Sequence, residues 1–149
     1  MNSQESRISP HLESFGTLSD CELDDLYELV QVARVKGDWG WAAGAFFRAL
    51  DLALCGEICR REGRLSGQVH WRARALPDMS DSDLEGLHEI WEDAAEDFHQ
   101  RRQHEAERLC SRVVRMLQEE ALRRSAVLIN VDREMCLSYG ERWSTLHAS

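Results

Sequence analysis

Leu18-Ser19-Asp20-Cys21-Glu22-Leu23-Asp24-Asp25-Leu26-Tyr27-Glu28-Leu29 and, 61 positions on, Met79-Ser80-Asp81-Ser82-Asp83-Leu84-Glu85-Gly86-Leu87-His88-Glu89-Ile90 are two versions of one pattern. In each, an apolar residue precedes a serine, acids follow, and leucines then recur at helical spacing. Ser19 with Glu22 three residues later is a capping box, and Ser80 stands at the equivalent N-cap. Leu23, Leu26, Tyr27, Val30 and Ala33 give the first helix one apolar face; Leu84, Leu87, Ile90, Trp91, Ala94 and Phe98 do the same for a third.

A second stripe follows each. Ala42, Ala45, Phe46, Ala49, Leu50, Ala53 and Leu54 predict a helix reaching Arg61, with Asp38 as its cap. Ala106, Leu109, Cys110, Val113, Val114 and Leu117 match it if about one extra helical turn precedes Ala106. The expectation is an all-α fold of two related helical hairpins in one domain. Its parts are a flexible arm (1–17), a hairpin (18–63), a linker (64–78), a second hairpin (79–125) and a C-terminal segment (126–149). Val69-His70-Trp71-Arg72-Ala73-Arg74-Ala75 alternates apolar with polar, which predicts a short extended segment near 68–75. Residues 99–105 are all polar and read either as a turn or as part of one long helix. Residues 126–131 extend helix four or form a strand, and 133–144 suggest a last short helix ending near Trp143. Gly40, Gly44 and Gly56 each cost helix two about 0.5–1 kcal/mol, which points to a closely packed neighbouring helix.

Gly37-Asp38-Trp39, then Ala42, Phe46 and Ala49-Leu50, resembles the second helix of a tetratricopeptide repeat, with Leu26, Leu29 and Val30 at packing positions of its first helix. The likeness covers residues 22–52. It implies a helical hairpin that presents a binding groove, and names no ligand. The chain departs from the family in three ways: no proline follows the second helix, Ala33 stands in for an aromatic, and the next unit begins about 60 residues on instead of 34.

Composition narrows the function classes. The 149 residues suit one domain, and no apolar run approaches the roughly 20 residues of a membrane span. The opening Met1-Asn2-Ser3-Gln4-Glu5-Ser6 lacks the order of a secretory signal, so the expected location is cytoplasmic, without a membrane role. The five cysteines are odd in number and widely spaced, unlike a disulfide framework, and read as small core-filling thiols. The 17 arginines against a single lysine, Lys36, suit a GC-rich bacterial or phage genome. Net charge is −9, with −2 on residues 1–75 and −7 on 76–149. Such a chain is poorly suited to direct nucleic-acid binding and better suited to a protein partner with a basic surface.

The acid run from Asp78 to Asp97 contains no Lys or Arg. Its like-charge pairs four apart cost an isolated helix roughly 1–2.5 kcal/mol, so something cationic is expected to offset them. The chain's own Arg60–Arg74 segment lying on the helix is the first candidate, a basic partner the second. Trp39 and Trp41 are two residues apart and cannot share a helical face, so at least one is expected at an interface; Trp71 and Trp143 are further candidates. Glu85-x-x-His88 and Glu96-x-x-His99 have the spacing of di-iron bundles, but both lie on one helix, about 16 Å apart. No phosphate loop, nucleophile elbow or metalloprotease motif is present. The sequence thus reads as a non-enzymatic protein-binding module without cofactor or metal. Glu85, Glu89, Glu92, Asp93, Glu96, Trp39 and Trp41 form its expected binding surface, an acidic helix and an aromatic groove. Rival readings are an acidic inhibitor that mimics nucleic acid and a small metal-binding or enzymatic helical protein. Self-association through the alanine- and glycine-rich face of helix two, giving a homodimer, is a further one.

Overall fold

The computed structural model describes the backbone of residues 12–132 and the side chains of 13–125. Strand β1 (Leu12–Ser14) leads into α1 (Asp20–Lys36) and α2 (Trp41–Arg61). Strand β2 (His70–Arg72) and a 3-10 turn (Leu76–Asp78) then lead into α3 (Asp81–Gln100) and α4 (His104–Asp132). The described chain is all-α apart from β1 and β2, which pair antiparallel with Glu13 opposite Trp71. The extended segment lies where the alternation predicted it, with Trp71 buried between exposed His70 and Arg72. Residues 12–17 correct the expected flexible arm: β1 is hydrogen-bonded, and Phe15 is fully buried against Trp71. Three strand residues are too few to show a period, so the sequence pattern could not reveal them. The polar stretch 99–105 holds a turn, in which Arg102 takes the left-handed conformation at φ +60°. Residues 126–131 continue α4 as helix. Trp143, Cys136 and the expected last helix lie outside the described residues.

The repeat is visible in the packing. Phe15, Leu18, Leu23, Leu26 and Ala33 have counterparts 61 on in Leu76, Met79, Leu84, Leu87 and Ala94. In the second helices the interval is 63: Ala43, Phe46, Phe47, Leu50, Ala53 and Leu54 match Ala106, Leu109, Cys110, Val113, Met116 and Leu117, all buried. The second hairpin is thus longer by two residues: α3 has three residues more than α1, close to the extra helical turn expected, and the turn after it is one residue shorter.

Two buried glutamates fasten the hairpins in the same way. Glu57 accepts from Arg60 (Nε 3.0 Å, Nη2 2.7 Å) and from Arg61 Nε at 2.7 Å. Arg61 then crosses to Asp20 Oδ1 (2.7 Å) and to the carbonyls of Phe15 (3.1 Å) and Leu18 (2.6 Å). Sixty-three residues on, Glu120 accepts from Arg123 and Arg124, and Arg124 crosses to Asp81 Oδ1 (2.6 Å) and Leu76 O (3.0 Å). Each arginine thereby reaches backbone carbonyls of the segment that enters the first helix of its own hairpin, adding a charged donor to Phe15 O and Leu76 O, which also accept from the N–H of Leu18 and Met79.

The hairpins also cap each other. The amino end of α2 has no side-chain cap from its own N-cap residue, Gly40, so the expected cap by Asp38 is not formed. Instead Gly40 N–H donates to Asp83 Oδ2 of α3 at 2.8 Å. Reciprocally, Ala106 N–H in the first turn of α4 donates to Glu22 Oε2 of α1 at 2.9 Å. Glu22 and Asp83 are 61 apart and occupy the same position of their helices. Reciprocal contacts of this kind, together with antiparallel β1 and β2, are the mark of an approximate two-fold relation between the halves.

Gly44 does not meet the neighbouring helix that the glycine content of α2 suggested, since a Cβ there would have nothing within 4 Å. Replacing it with Ala is expected to raise stability by about 0.5–1 kcal/mol in urea unfolding. The acid pattern is also testable. Hydrogen bonds from Arg60 hold the Glu57 carboxyl below its ordinary value against the opposing effect of burial, with Arg61 adding to them. Those from Arg123, then Arg124, do the same for Glu120. A carboxylate with a lowered folded-state pKa contributes fully above the ordinary value of about 4.3 and loses that contribution as pH falls through the folded pKa. Glu57→Gln/Glu120→Gln is therefore expected to lose about 2–3 kcal/mol per site at pH 7 and to show a shallower further loss below pH 4 in the same assay.

Candidate interaction surfaces

Helix α3 turns Leu84, Leu87, Trp91, Ala94 and Phe98 inward. The 3.6-residue period therefore turns Glu85, Glu89, Glu92, Asp93 and Glu96 outward, and all five are exposed. Acids at the two ends of the run are engaged: Asp81 with Arg124, Asp97 with Arg101 at 2.7 Å. The five between them form no ion pair with any described residue.

The chain's own basic segment does not cover this face. Arg60 and Arg61 are held by Glu57, and Arg64 pairs with Glu62. Arg72 and Arg74 line a groove against α2 instead. The internal offset expected from Arg60–Arg74 is thus corrected. The linker runs back to α2 because Val69 packs on Gly56 and Trp71 packs on Phe46.

Trp39 and Trp41 part company. The Trp39 N–H donates to Ala33 O at 2.9 Å, and its ring lies 5.3 Å from Phe47. That ring also lies on Gly86 of α3, where an added Cβ would meet it at 3.2 Å, and on Gly37, where the contact would be 2.5 Å. It is a packing residue that joins the tip of the first hairpin to α3. Trp41 is 71 % exposed, and the adjacent Gly40–Asp83 bond sets its helix end against the first turn of α3. Trp71 and Trp91 are core. No aromatic groove is therefore formed by the described tryptophans. An aliphatic one of about 620 Å³ runs beside the acid face, floored by Leu84, Leu117, Ala121 and Leu122 and edged by Glu85 and His88.

His88 Nε2 faces Gln118 at 3.2 Å, and His99 Nδ1 faces Glu107 at 3.1 Å, so each histidine of the Glu-x-x-His pairs is engaged by α4. No group of three or more His, Cys, Asp or Glu arranged to hold a metal ion occurs among the described residues. The thiols differ from the expected uniform core filling. Cys110 is buried and its pKa is pushed up by that burial, Cys55 and Cys59 are half-buried, and Cys21 is exposed. The neighbouring Cys55 thiol comes first in raising the Tyr27 pKa, while burial comes first in raising that of Cys55.

A second surface was not legible in the sequence. Between α2 and β2 lies an open groove of about 760 Å³, with an apolar floor (Ala45, Ala49, Leu52, Val69) and a basic rim that includes Arg48 and Arg74.

Comparison with protein-family models, with curated proteins and with solved structures yields no match for this chain. No helix among the described residues is long and apolar enough to cross a membrane.

The two tryptophans of the hairpin tip predict opposite outcomes. Trp39→Ala is expected to cost about 3 kcal/mol in urea unfolding, as large-to-small changes in packed sites do. Trp41→Ala is expected to stay within about 0.5 kcal/mol of the native chain.

Proposed function

We propose that the chain is a non-catalytic protein-binding module whose working surface is the acid face of α3. Glu85, Glu89, Glu92, Asp93 and Glu96 would meet the basic surface of a partner, with exposed Trp41 as an apolar anchor at one end. The observation that carries this reading is that the five central carboxylates have no cationic partner among the described residues, on a helix whose other face is fully committed to the core. Their mutual repulsion is a standing cost to the fold that a basic partner would relieve. The tetratricopeptide likeness of α1 and α2 supports a hairpin used for binding. Trp39, by contrast, is withdrawn from the proposed surface, because its ring already packs within the molecule.

A second reading rests on the same face. A row of carboxylates along one rigid helix can imitate the charge of a nucleic-acid strand, so the partner's basic surface can be a nucleic-acid groove and the chain its inhibitor. Association that weakens steeply with salt and competes with a duplex oligonucleotide selects this version.

The test compares the native chain with Glu85/Glu89/Glu92/Glu96→Gln in a pull-down from cells of the source organism. The partner is expected to be retained by the native chain and lost by the variant, with the captured complex dissolving as salt rises. The variant alone is expected to be more stable than the native chain by about 1–2 kcal/mol in urea unfolding, since neutralising the row removes like-charge pairs. Equal capture by both proteins would leave the acid row as a merely solvated face.

A further inference from the structure

The groove between α2 and β2 has a counterpart in the repeat, where α4 faces β1. Ala45 and Ala49 correspond, 63 residues on, to Arg108 and Arg112 of α4. There the two arginines reach Glu13 of β1 (Arg112 Nη2 at 2.9 Å, Arg108 Nη1 at 3.6 Å), and that carboxylate is 93 % buried. Helix α4 thus meets a buried carboxylate supplied by β1, at a position whose counterpart 61 residues on, beside α2, is Arg74. In the first half the two arginines are replaced by alanines, so the crevice stays open as a groove of about 760 Å³. The basic groups stand at its edge instead: Arg48 on α2 and Arg74 beyond β2, both exposed and neither in an ion pair with any described residue. Beneath them lies an apolar floor that includes Leu52, 65 % exposed. At one wall stands Trp71, whose buried indole N–H has no partner among the described residues.

An apolar floor with a cationic rim, on a chain whose net charge is −9, selects for an occupant that is both acidic and apolar. We propose that this groove docks an acidic peptide segment of a partner protein, its carboxylates on Arg48 and Arg74 and an apolar side chain on Ala45, Ala49 and Leu52. A second copy of the chain fits less well. The exposed positions of its acid helix are all polar and have no apolar side chain for the floor, and two chains of −9 repel. The site is separate from the acid face of α3, so the two readings stand or fall independently.

The test is fluorescence anisotropy of a fluorescein-labelled peptide of alternating Glu and Leu, titrated with the full chain. A peptide with Lys in place of Glu serves as control. Saturable binding of the acidic peptide, weakened by salt and absent for the control, is expected. Arg48→Ala/Arg74→Ala, at two exposed positions that leave the core intact, is expected to weaken it about tenfold or more. Glu85/Glu89/Glu92/Glu96→Gln is expected to bind the peptide as the native chain does, which separates this groove from the acid face. Failure to bind, or equal binding by the double arginine variant, would overturn the proposal. So would sedimentation showing that the chain dimerises through the same arginines, or tighter binding of a single-stranded oligonucleotide than of the peptide.

Discussion

Helix ends that cannot satisfy themselves are the constraint on which this fold depends. The first N–H groups of a helix have no partner within it, and the usual remedy is a side chain just upstream. Ser19 and Ser80 supply that remedy for α1 and α3. Helix α2 begins at a glycine that offers no side chain, and in the first turn of α4 the N–H of buried Ala106 is directed at Glu22. Each of these ends is therefore served by an acid from the first helix of the opposite hairpin. Glu22 is long enough to do two tasks, accepting from Ser19 N–H with one oxygen and from Ala106 N–H with the other. Burial works to raise its pKa, and the backbone donors outweigh that effect and lower it. Asp83, one methylene shorter, gives up the return bond to its own N-cap and serves Gly40 alone. Neither hairpin is complete without the other.

From this exchange the rest of the packing follows. With the end of α2 held on α3, the ring of Trp39 comes to rest on Gly86, at a place where any side chain would meet it. The corresponding place on α1 is Asp25, which receives Arg101 and Gln103 from the second hairpin's turn at 2.9 and 3.1 Å. One contact is aromatic and the other ionic, yet they sit at the same position of the repeat. The Glu57 and Glu120 clusters complete the frame from within each hairpin. Their exposed partners, Asp20 and Asp81, contribute little beyond direction, because solvent screens them. The buried glutamates and the carbonyls they help to satisfy matter more.

Much of this was written in local pattern. The paired serine caps, the apolar stripes and the alternation around Trp71 give four helices and one extended segment without further information. The outward placement of Glu85, Glu89, Glu92, Asp93 and Glu96 follows from the same stripes, since whatever faces away from Leu84, Leu87 and Trp91 faces solvent. What escaped was long-range. Glu57-Ile58-Cys59-Arg60-Arg61 and Glu120-Ala121-Leu122-Arg123-Arg124 repeat at an interval of 63, and that echo alone would have aligned the second helices correctly. Taken singly, each looks like an ordinary neighbour pair on a helix, and nothing local reveals that Arg61 and Arg124 continue across to another element. Residues 12–14 failed for a different reason, because a three-residue strand acquires its identity only from β2.

The α2–β2 groove escaped for a third reason: it is defined by missing volume. Ala45 and Ala49 read as ordinary members of an apolar stripe, and only comparison with Arg108 and Arg112 shows that something has been left out. A repeat relaxes the demand for sameness in this way. Once reciprocal caps and buried Arg–Glu clusters secure the frame, equivalent surfaces can diverge at little cost in stability. In this chain α4 holds Glu13 of β1 with Arg108 and Arg112, while the equivalent positions beside α2 carry Ala45, Ala49 and Arg74 and the crevice stays open. The outer faces of α1 and α3 diverge as well. At 61 residues' separation Glu28, Val32 and Val35 become Glu89, Asp93 and Glu96, so the exposed apolar positions of one helix are carboxylates on the other. Divergence greatest at solvent-facing positions, with the apolar core positions and the reciprocal caps held alike, is what separate demands on the two faces would produce in a pseudo-symmetric molecule.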